Sequence, residues 1–271
     1  MSPNTTDIRD TVREKYGKIA DSAGEGTGCC GSTKDSPCCG ASSNVVLQEL
    51  GYTREQVAAI PEGANLGLGC GSPLAHADVK PGETVLDLGS GAGIDAFLAA
   101  GEVGPTGRVI GVDMTPSMLS RARENATKGG YANVEFRLGE IESLPVADAT
   151  VDLIISNCVI NLSPEKPRVF AEAMRTLKPG GRLLVSDLVL TRTLPESVRA
   201  SVDATIGCIA GASLKDDYLR QIREAGFADV AVVEERGHGP GADLLPDTVK
   251  EAKAWDAVLS VKVRAVKPAT P

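Results

Sequence analysis

The chain has 271 residues, which fits one large α/β domain or one domain with a smaller appendage. Hydrophobic residues make up 42% and aromatics only 3%, so Val, Leu, Ile and Ala must fill the core. With 28 basic against 36 acidic residues the formal net charge is -8, which argues against binding a nucleic-acid backbone.

No apolar run approaches the length needed to span a bilayer, and Met1 to Asp10 lacks the apolar stretch of a signal peptide. A cytoplasmic protein without membrane partners is expected. Its seven cysteines are then reduced thiols by default.

In chain order, Ile8, Val12, Tyr16 and Ile19 lie at helical spacing and predict an amphipathic helix over Thr5 to Ile19. Gly24 to Ser43, rich in Gly and Ser and carrying two adjacent Cys pairs, reads as a loop. Val45 to Leu50 and Arg54 to Ala59 are short helical candidates. From Glu83 strands alternate with helices: strands Thr84–Leu88, Arg108–Val112, Asn133–Leu138, Val151–Ser156 and Arg182–Asp187, and helices Gly93–Ala100, Ser117–Lys128 and Pro164–Leu177. Lys178-Pro179-Gly180-Gly181 marks a turn before the fifth strand. This alternation predicts a doubly wound, mostly parallel sheet. The tail predicts helices over Pro195–Ala210 and Lys215–Ala225, and strands over Val230–Glu234 and Ala257–Val263, as an antiparallel extension. Three zones are expected: residues 1–75, 76–190 and 191–271.

Asp87-Leu88-Gly89-Ser90-Gly91-Ala92-Gly93 falls between a strand and a helix. Glycines there let the backbone turn sharply and approach a ligand, and the helix start adds unpaired N–H groups. Asp113 closes the second strand at the spacing where an acid accepts ribose hydroxyls. Gly91 to Ala96 also satisfies the dinucleotide pattern G-x-G-x-x-A, so a dehydrogenase is a rival reading. Asp87 favours S-adenosylmethionine: a carboxylate there meets a cationic methionine end and repels a pyrophosphate. From about Lys80 to Leu190 the residues resemble class I methyltransferases, including Glu140 and Glu142 near Leu144-Pro145, and Pro179-Gly180-Gly181. The resemblance implies a Rossmann-like seven-stranded sheet. It implies cofactor contacts from Asp87, Gly89, Ser90, Gly91, Gly93, Asp113 and Met114, adenine contacts from Gly139, Glu140 and Ile141, and a contact from Asn157.

The cysteines stand at 29, 30, 38, 39, 70, 158 and 208, with no C-x-x-C pair. Cys158 ends the fourth strand, at the sheet edge that faces a bound cofactor. A buried, hydrophobe-like role for it stands beside the chemical one. Flanking glycines put Cys70 in a loop and make burial unexpected there. Cys208 reads as a helix residue whose role, taken alone, is packing.

Taken together, Tyr16-Gly17, Leu68-Gly69-Cys70-Gly71, Ser156-Asn157-Cys158-Val159-Ile160-Asn161-Leu162 and Gly207-Cys208 resemble the arsenite methyltransferase family. The resemblance implies that Cys70, Cys158 and Cys208 bind trivalent arsenic, with Cys38 or Cys39 as a further catalytic thiol. It implies S-adenosyl-L-methionine as methyl donor, arsenite and methylarsenite as substrates, an external thiol reductant of glutathione or thioredoxin type, no tightly bound metal and a monomeric enzyme. Soft thiolates select a soft, thiophilic centre, and three of them leave arsenic one lone pair with which to attack the methyl group. Each transfer formally oxidises arsenic, and a disulfide between Cys38 or Cys39 and Cys70 would return the electrons, later reopened by external thiol. Cys29-Cys30 either collects arsenic and delivers it or belongs to a disordered Gly/Ser/Cys segment with no required role. His76 and His238 fall in no catalytic motif and are expected at the surface. The alternatives are a methyltransferase for another small acceptor and a thiol-based metalloid-binding protein.

Overall fold

The structure is a computed structural model that describes residues 5–22, 47–48, 50–61, 63–199, 201, 208–237, 249 and 254–269. Its centre is a seven-stranded sheet: β1 (Thr84–Leu88), β2 (Arg108–Asp113), β3 (Val134–Leu138), β4 (Val151–Asn157), β5 (Leu177–Leu190), β6 (Ala228–Gly237) and β7 (Val258–Val266). The order is β3-β2-β1-β4-β5-β7-β6. Strands β1 to β5 pair in parallel, while β7 runs antiparallel between β5 and β6, as the tail's strand runs predicted.

Successive side chains of a strand point to opposite faces, and both faces of this sheet are covered. Leu86 and Leu88 of β1 join one buried cluster with Val169 and Phe170 of helix α5 (Lys166–Thr176) and Tyr218 and Ile222 of α7 (Lys215–Glu224). Val85 joins another, with Phe97 of α3 (Ile94–Val103) and Leu119 of α4 (Pro116–Gly129). This two-sided burial explains why the middles of the central strands are largely apolar, with Asp87 of β1 a buried exception. A third cluster sits at the carboxyl edge of the strands. It holds Val12 of α1 (Thr5–Ser22), Leu188 and Leu190 of β5, Val258 of β7, and Cys70, Cys158 and Cys208.

Helix α2 (Arg54–Ala59) is closed by a capping box in which Thr53 and Gln56 satisfy each other's backbone. The turn expected at Lys178–Gly181 is a bulge inside β5: the pairing with β4 jumps from Val151↔Leu177 to Leu153↔Arg182. The helix predicted over Pro195–Ala210 reduces to α6 (Glu196–Arg199), and its stretch 202–207 lies outside the described residues. Cys208 is on a turn, not on a helix, with a left-handed φ of 60°. The physical reason is a long-range contact: Gly211 lies so close to the Asn161 carbonyl that any side chain would collide with it. Among the described residues no helix is long and apolar enough to cross a membrane.

Candidate active site

A cavity enclosing about 1060 Å³ of empty space, mouth included, opens at the carboxyl edge of β1, β2 and β4. That is where open α/β sheets bind ligands. Asp87 near the end of β1, Asp113 at the end of β2 and Asn157 at the end of β4 all line it. The glycine loop is pinned to β2: the Gly89 and Ser90 amides donate to the Val112 carbonyl at 2.8 and 3.0 Å, and the Gly91 amide donates to Asp113 at 3.0 Å. Gly93 turns the chain into α3 at φ 100°, and a Cβ there would lie 2.6 Å from the Phe97 ring. Its glycine therefore serves close packing as well as the turn.

Of the cofactor residues expected from sequence, Asp87, Gly89, Ser90, Gly91, Asp113, Met114, Ile141 and Asn157 line this cavity, as does Gly139. Gly93 and Glu140 do not; Gly93 shapes the loop from behind. Glu140 pairs with Arg9 and Arg13, and Glu142 faces the cavity in its place. The wall residues Arg9 and Tyr52 carried no local signal, since each is brought in from a separate element; Asp95 was also missed. An acid in the first turn of a helix after a glycine loop is the one feature that could have flagged Asp95.

The cavity is negative where a cation would lie. Asp87 Oδ2 and Ser90 Oγ are buried without hydrogen-bond partners among the described residues. Burial, then the neighbouring Asp95 and Asp113, push the Asp87 carboxyl well above its ordinary range. Asp95 accepts from Tyr52 Oη at 2.8 Å and from Asn157 Nδ2 at 3.0 Å; burial outweighs both bonds and raises its pKa to about 6. An unpartnered buried Asp87 oxygen beside a glycine loop fits a ligand carrying an ammonium and a sulfonium.

Helix α1 closes the far side. Arg9 reaches Glu142 at 3.1 Å and Glu165 at 2.9 Å, Arg13 reaches the Met114 carbonyl at 3.4 Å, and Arg121 caps the Ala20 carbonyl at 2.7 Å.

The cysteines meet beside this cavity. Cys158 lines it, and Cys70 and Cys208 lie in the same apolar cluster. Their exposures are 6%, 8% and 4%, so Cys70 is buried despite its glycines. The cause is Asn157, whose Oδ1 accepts from the Cys70 amide at 3.0 Å and whose Nδ2 donates to the Gly71 carbonyl at 2.6 Å, while Ser260 Oγ donates to the Cys70 carbonyl at 3.1 Å. This brings the Cα atoms of Cys70 and Cys158 to 5.6 Å, within disulfide range, and the two are joined. Cys70 is thus paired with Cys158 here rather than with Cys38 or Cys39, which lie outside the described residues with Cys29 and Cys30.

Cys158 and Cys208 both sit at φ 60°, a strained setting for residues with a side chain. Cys208 Sγ donates to the Cys158 carbonyl at 2.7 Å. Burial, then the nearby Asp187, push the Cys208 thiol far up, against opposing effects of Tyr16 and Lys166. His76 is remote from all this, paired with Glu234 at 2.8 Å, and His238 lies outside the described residues.

A sheet of this order, with a glycine loop after β1 and an acid ending β2, defines a class I S-adenosylmethionine-dependent methyltransferase, and residues 79–226 match the family described as "Methyltransferase domain". Within that class, the chain belongs to the arsenite methyltransferase family. It is 48% identical to the arsenite methyltransferase of Halobacterium salinarum, over 97% of this chain and 67% of that one. It is 37% identical to that of Aquipseudomonas alcaligenes, over 97% of this chain and 74% of that one. The crystal structure of an arsenic (III) S-adenosylmethionine methyltransferase from Chlamydomonas reinhardtii superposes with a TM-score of 0.64 at 39% identity, covering 83% of this chain and 74% of that one.

Proposed function

We propose that this protein transfers methyl groups from S-adenosylmethionine to trivalent arsenic bonded to Cys70, Cys158 and Cys208, giving methylated arsenicals. The observation that carries this reading is the meeting of three cysteines, from distant parts of the chain, in one apolar cluster whose Cys158 lines the cofactor cavity. Asp113 would hold the ribose, Gly139 and Ile141 the adenine, and Asp87, Ser90 and Asn157 the methionine end. When bound, the cofactor supplies an electrophilic methyl group on a sulfonium.

The protein's own residues bind and orient the acceptor. Each As–S bond replaces one hydroxyl of arsenious acid; the thiol proton leaves with that hydroxyl as water. A buried thiol such as Cys208 therefore needs no prior ionisation. The arsenic lone pair is the nucleophile and no proton is lost, so no general base is required, in keeping with a His76 that pairs with Glu234 and does not line the cavity. Positioning and exclusion of water supply the rate.

Methylation formally takes arsenic from +3 to +5. Two thiolates return two electrons by closing a disulfide, and an external thiol of glutathione or thioredoxin type reopens it. The disulfide at Cys70 supports such a role for that residue. Cys38 or Cys39, from the substrate-capturing segment 1–75, is the proposed leader thiol; segment 191–271 contributes Cys208. On this reading the enzyme works as a monomer in the cytoplasm, where thiols stay reduced.

The test is incubation with arsenite, labelled cofactor and a dithiol, with chromatographic separation of the products. Cys158→Ser and Cys208→Ser should each lower turnover to about a hundredth or less, the scale of a misplaced reactant. Wild-type rates in either would remove that residue from the site.

A further inference from the structure

The loop that carries Cys70 is also a wall of the cofactor cavity, through Leu66, Leu68 and Gly69. A compact set of polar groups at the end of β4 holds it there. Asn157 binds the loop on both sides of Cys70, accepting from the Cys70 amide and donating to the Gly71 carbonyl. Gly69 packs directly on the same side chain: at φ 128°, a Cβ there would lie 3.1 Å from Asn157 Nδ2. Tyr52, buried just before α2, reaches both the loop and Asp95. Its hydroxyl donates to Asp95 Oδ1 at 2.8 Å, lies 3.3 Å from the Gly71 carbonyl, and accepts from Asn157 Nδ2 at 3.0 Å.

Acceptors outnumber hydrogens in this group. Asn157 Nδ2 carries two hydrogens and has three acceptors in range: the Gly71 carbonyl at 2.6 Å, Tyr52 Oη at 3.0 Å and Asp95 Oδ2 at 3.0 Å. The Tyr52 hydroxyl carries one hydrogen and has two acceptors, Asp95 Oδ1 and the Gly71 carbonyl. Asp95 and the Cys70 loop therefore compete for the same donors. Asp95 lines the cavity, and an ammonium seated against it would satisfy the carboxylate and release donors to the loop.

We infer that Tyr52 is a positioning residue for the metalloid site: when the cofactor's ammonium occupies Asp95, the Tyr52 hydroxyl turns from the carboxylate to the Gly71 carbonyl and fixes Cys70 beside the cofactor. Cofactor and arsenite then bind with positive coupling, each raising the affinity of the other by the same factor. The inference rests on the arsenic reading above.

The test is equilibrium dialysis of arsenite against the reduced protein at pH 8, with and without saturating S-adenosylhomocysteine, which keeps the ammonium but has no methyl group to transfer. In the wild-type protein this ligand should raise arsenite affinity about tenfold, within the usual range of coupling between two sites. Adenosine, which lacks the ammonium, should change it by less than about twofold, since a ligand that does not touch the shared donors cannot shift them. Tyr52→Phe keeps the ring in its apolar cluster and removes the hydroxyl; it should cut the coupling factor about fivefold, the scale of one hydrogen bond. Leu50→Val alters the same cluster without removing any of these hydrogen-bonding groups and should retain the factor, which separates the effect from a general loosening of the fold. A wild-type factor near unity, an unchanged factor in Tyr52→Phe, equal enhancement by adenosine, or an equal loss in Leu50→Val would overturn the proposal. Failure of the reduced wild-type protein to bind arsenite would instead overturn the arsenic site itself, and that failure is visible without cofactor or substitution.

Discussion

Asp95 and Asp87 are the residues through which pH reaches the cavity. Burial raises Asp95 to about 6, and both acids line the cavity. As pH falls through about 6, protonation removes the negative charge that complements a cation, so S-adenosylmethionine binding should weaken at pH 5 relative to pH 8. Calorimetry at the two values checks this, and the demethylated thioether, which lacks the sulfonium charge, should show a smaller change. Without ligand the sign reverses. An acid whose folded pKa is raised stabilises the fold below its unfolded value and loses that stability as pH rises through the folded one. Asp187, raised by burial to about 7, acts in the same direction. The ligand-free melting temperature should therefore fall between pH 4 and pH 7 while cofactor affinity rises. A cofactor affinity flat across this range would show that these carboxylates do not face the cation.

At the scale of elements, α1 and the turn at 208–211 are the parts the site depends on most. Arg9 neutralises Glu142, whose side chain is only 5% exposed. Arg9→Ala leaves that acid with Ser163 as its remaining side-chain hydrogen-bond partner. The loss should be about 1–2 kcal/mol of cofactor binding, less than a fully buried pair because Arg9 is itself partly exposed. Calorimetry reads it directly. Gly211→Ala forces the turn off Asn161; overpacking of this kind costs about 1–3 kcal/mol. It should impair arsenite binding while leaving cofactor binding intact, because no cofactor-cavity residue lies on that turn.

The two elements also show where sequence reading works and where it stops. Strands β1, β2 and β4 are legible because burial on both faces keeps their middles largely apolar, Asp87 being a buried exception, and α1 because its apolar stripe meets one surface. The conformation around Cys208 is not legible: local apolar spacing favours a helix there, while the turn is decided by Asn161, a residue remote in sequence. Asn157 is legible as a neighbour of Cys158, yet its bond to the Cys70 amide, which buries a cysteine expected to be exposed, is a tertiary fact. The same holds for Tyr52, whose hydroxyl reaches Asp95 across the fold.

For the whole molecule, the sheet brings two groups to one edge, acids with a glycine loop and a cluster of cysteines, which on the proposed reading serve a cation and a soft metalloid. They are separable by redox state. With Cys70 joined to Cys158, two of the three thiols are withdrawn while the carboxylates and loop are untouched. Oxidised protein should therefore bind S-adenosylmethionine normally and bind arsenite at least about tenfold more weakly than reduced protein, since several ligands must converge. Dialysis before and after dithiol treatment reads the difference.

The most direct measurement is X-ray absorption at the arsenic edge on arsenite bound to reduced protein. The account predicts a first shell of three sulfurs, falling to two sulfurs and one oxygen in each of Cys70→Ser, Cys158→Ser and Cys208→Ser. A shell dominated by oxygen, or one unchanged by these substitutions, would contradict it.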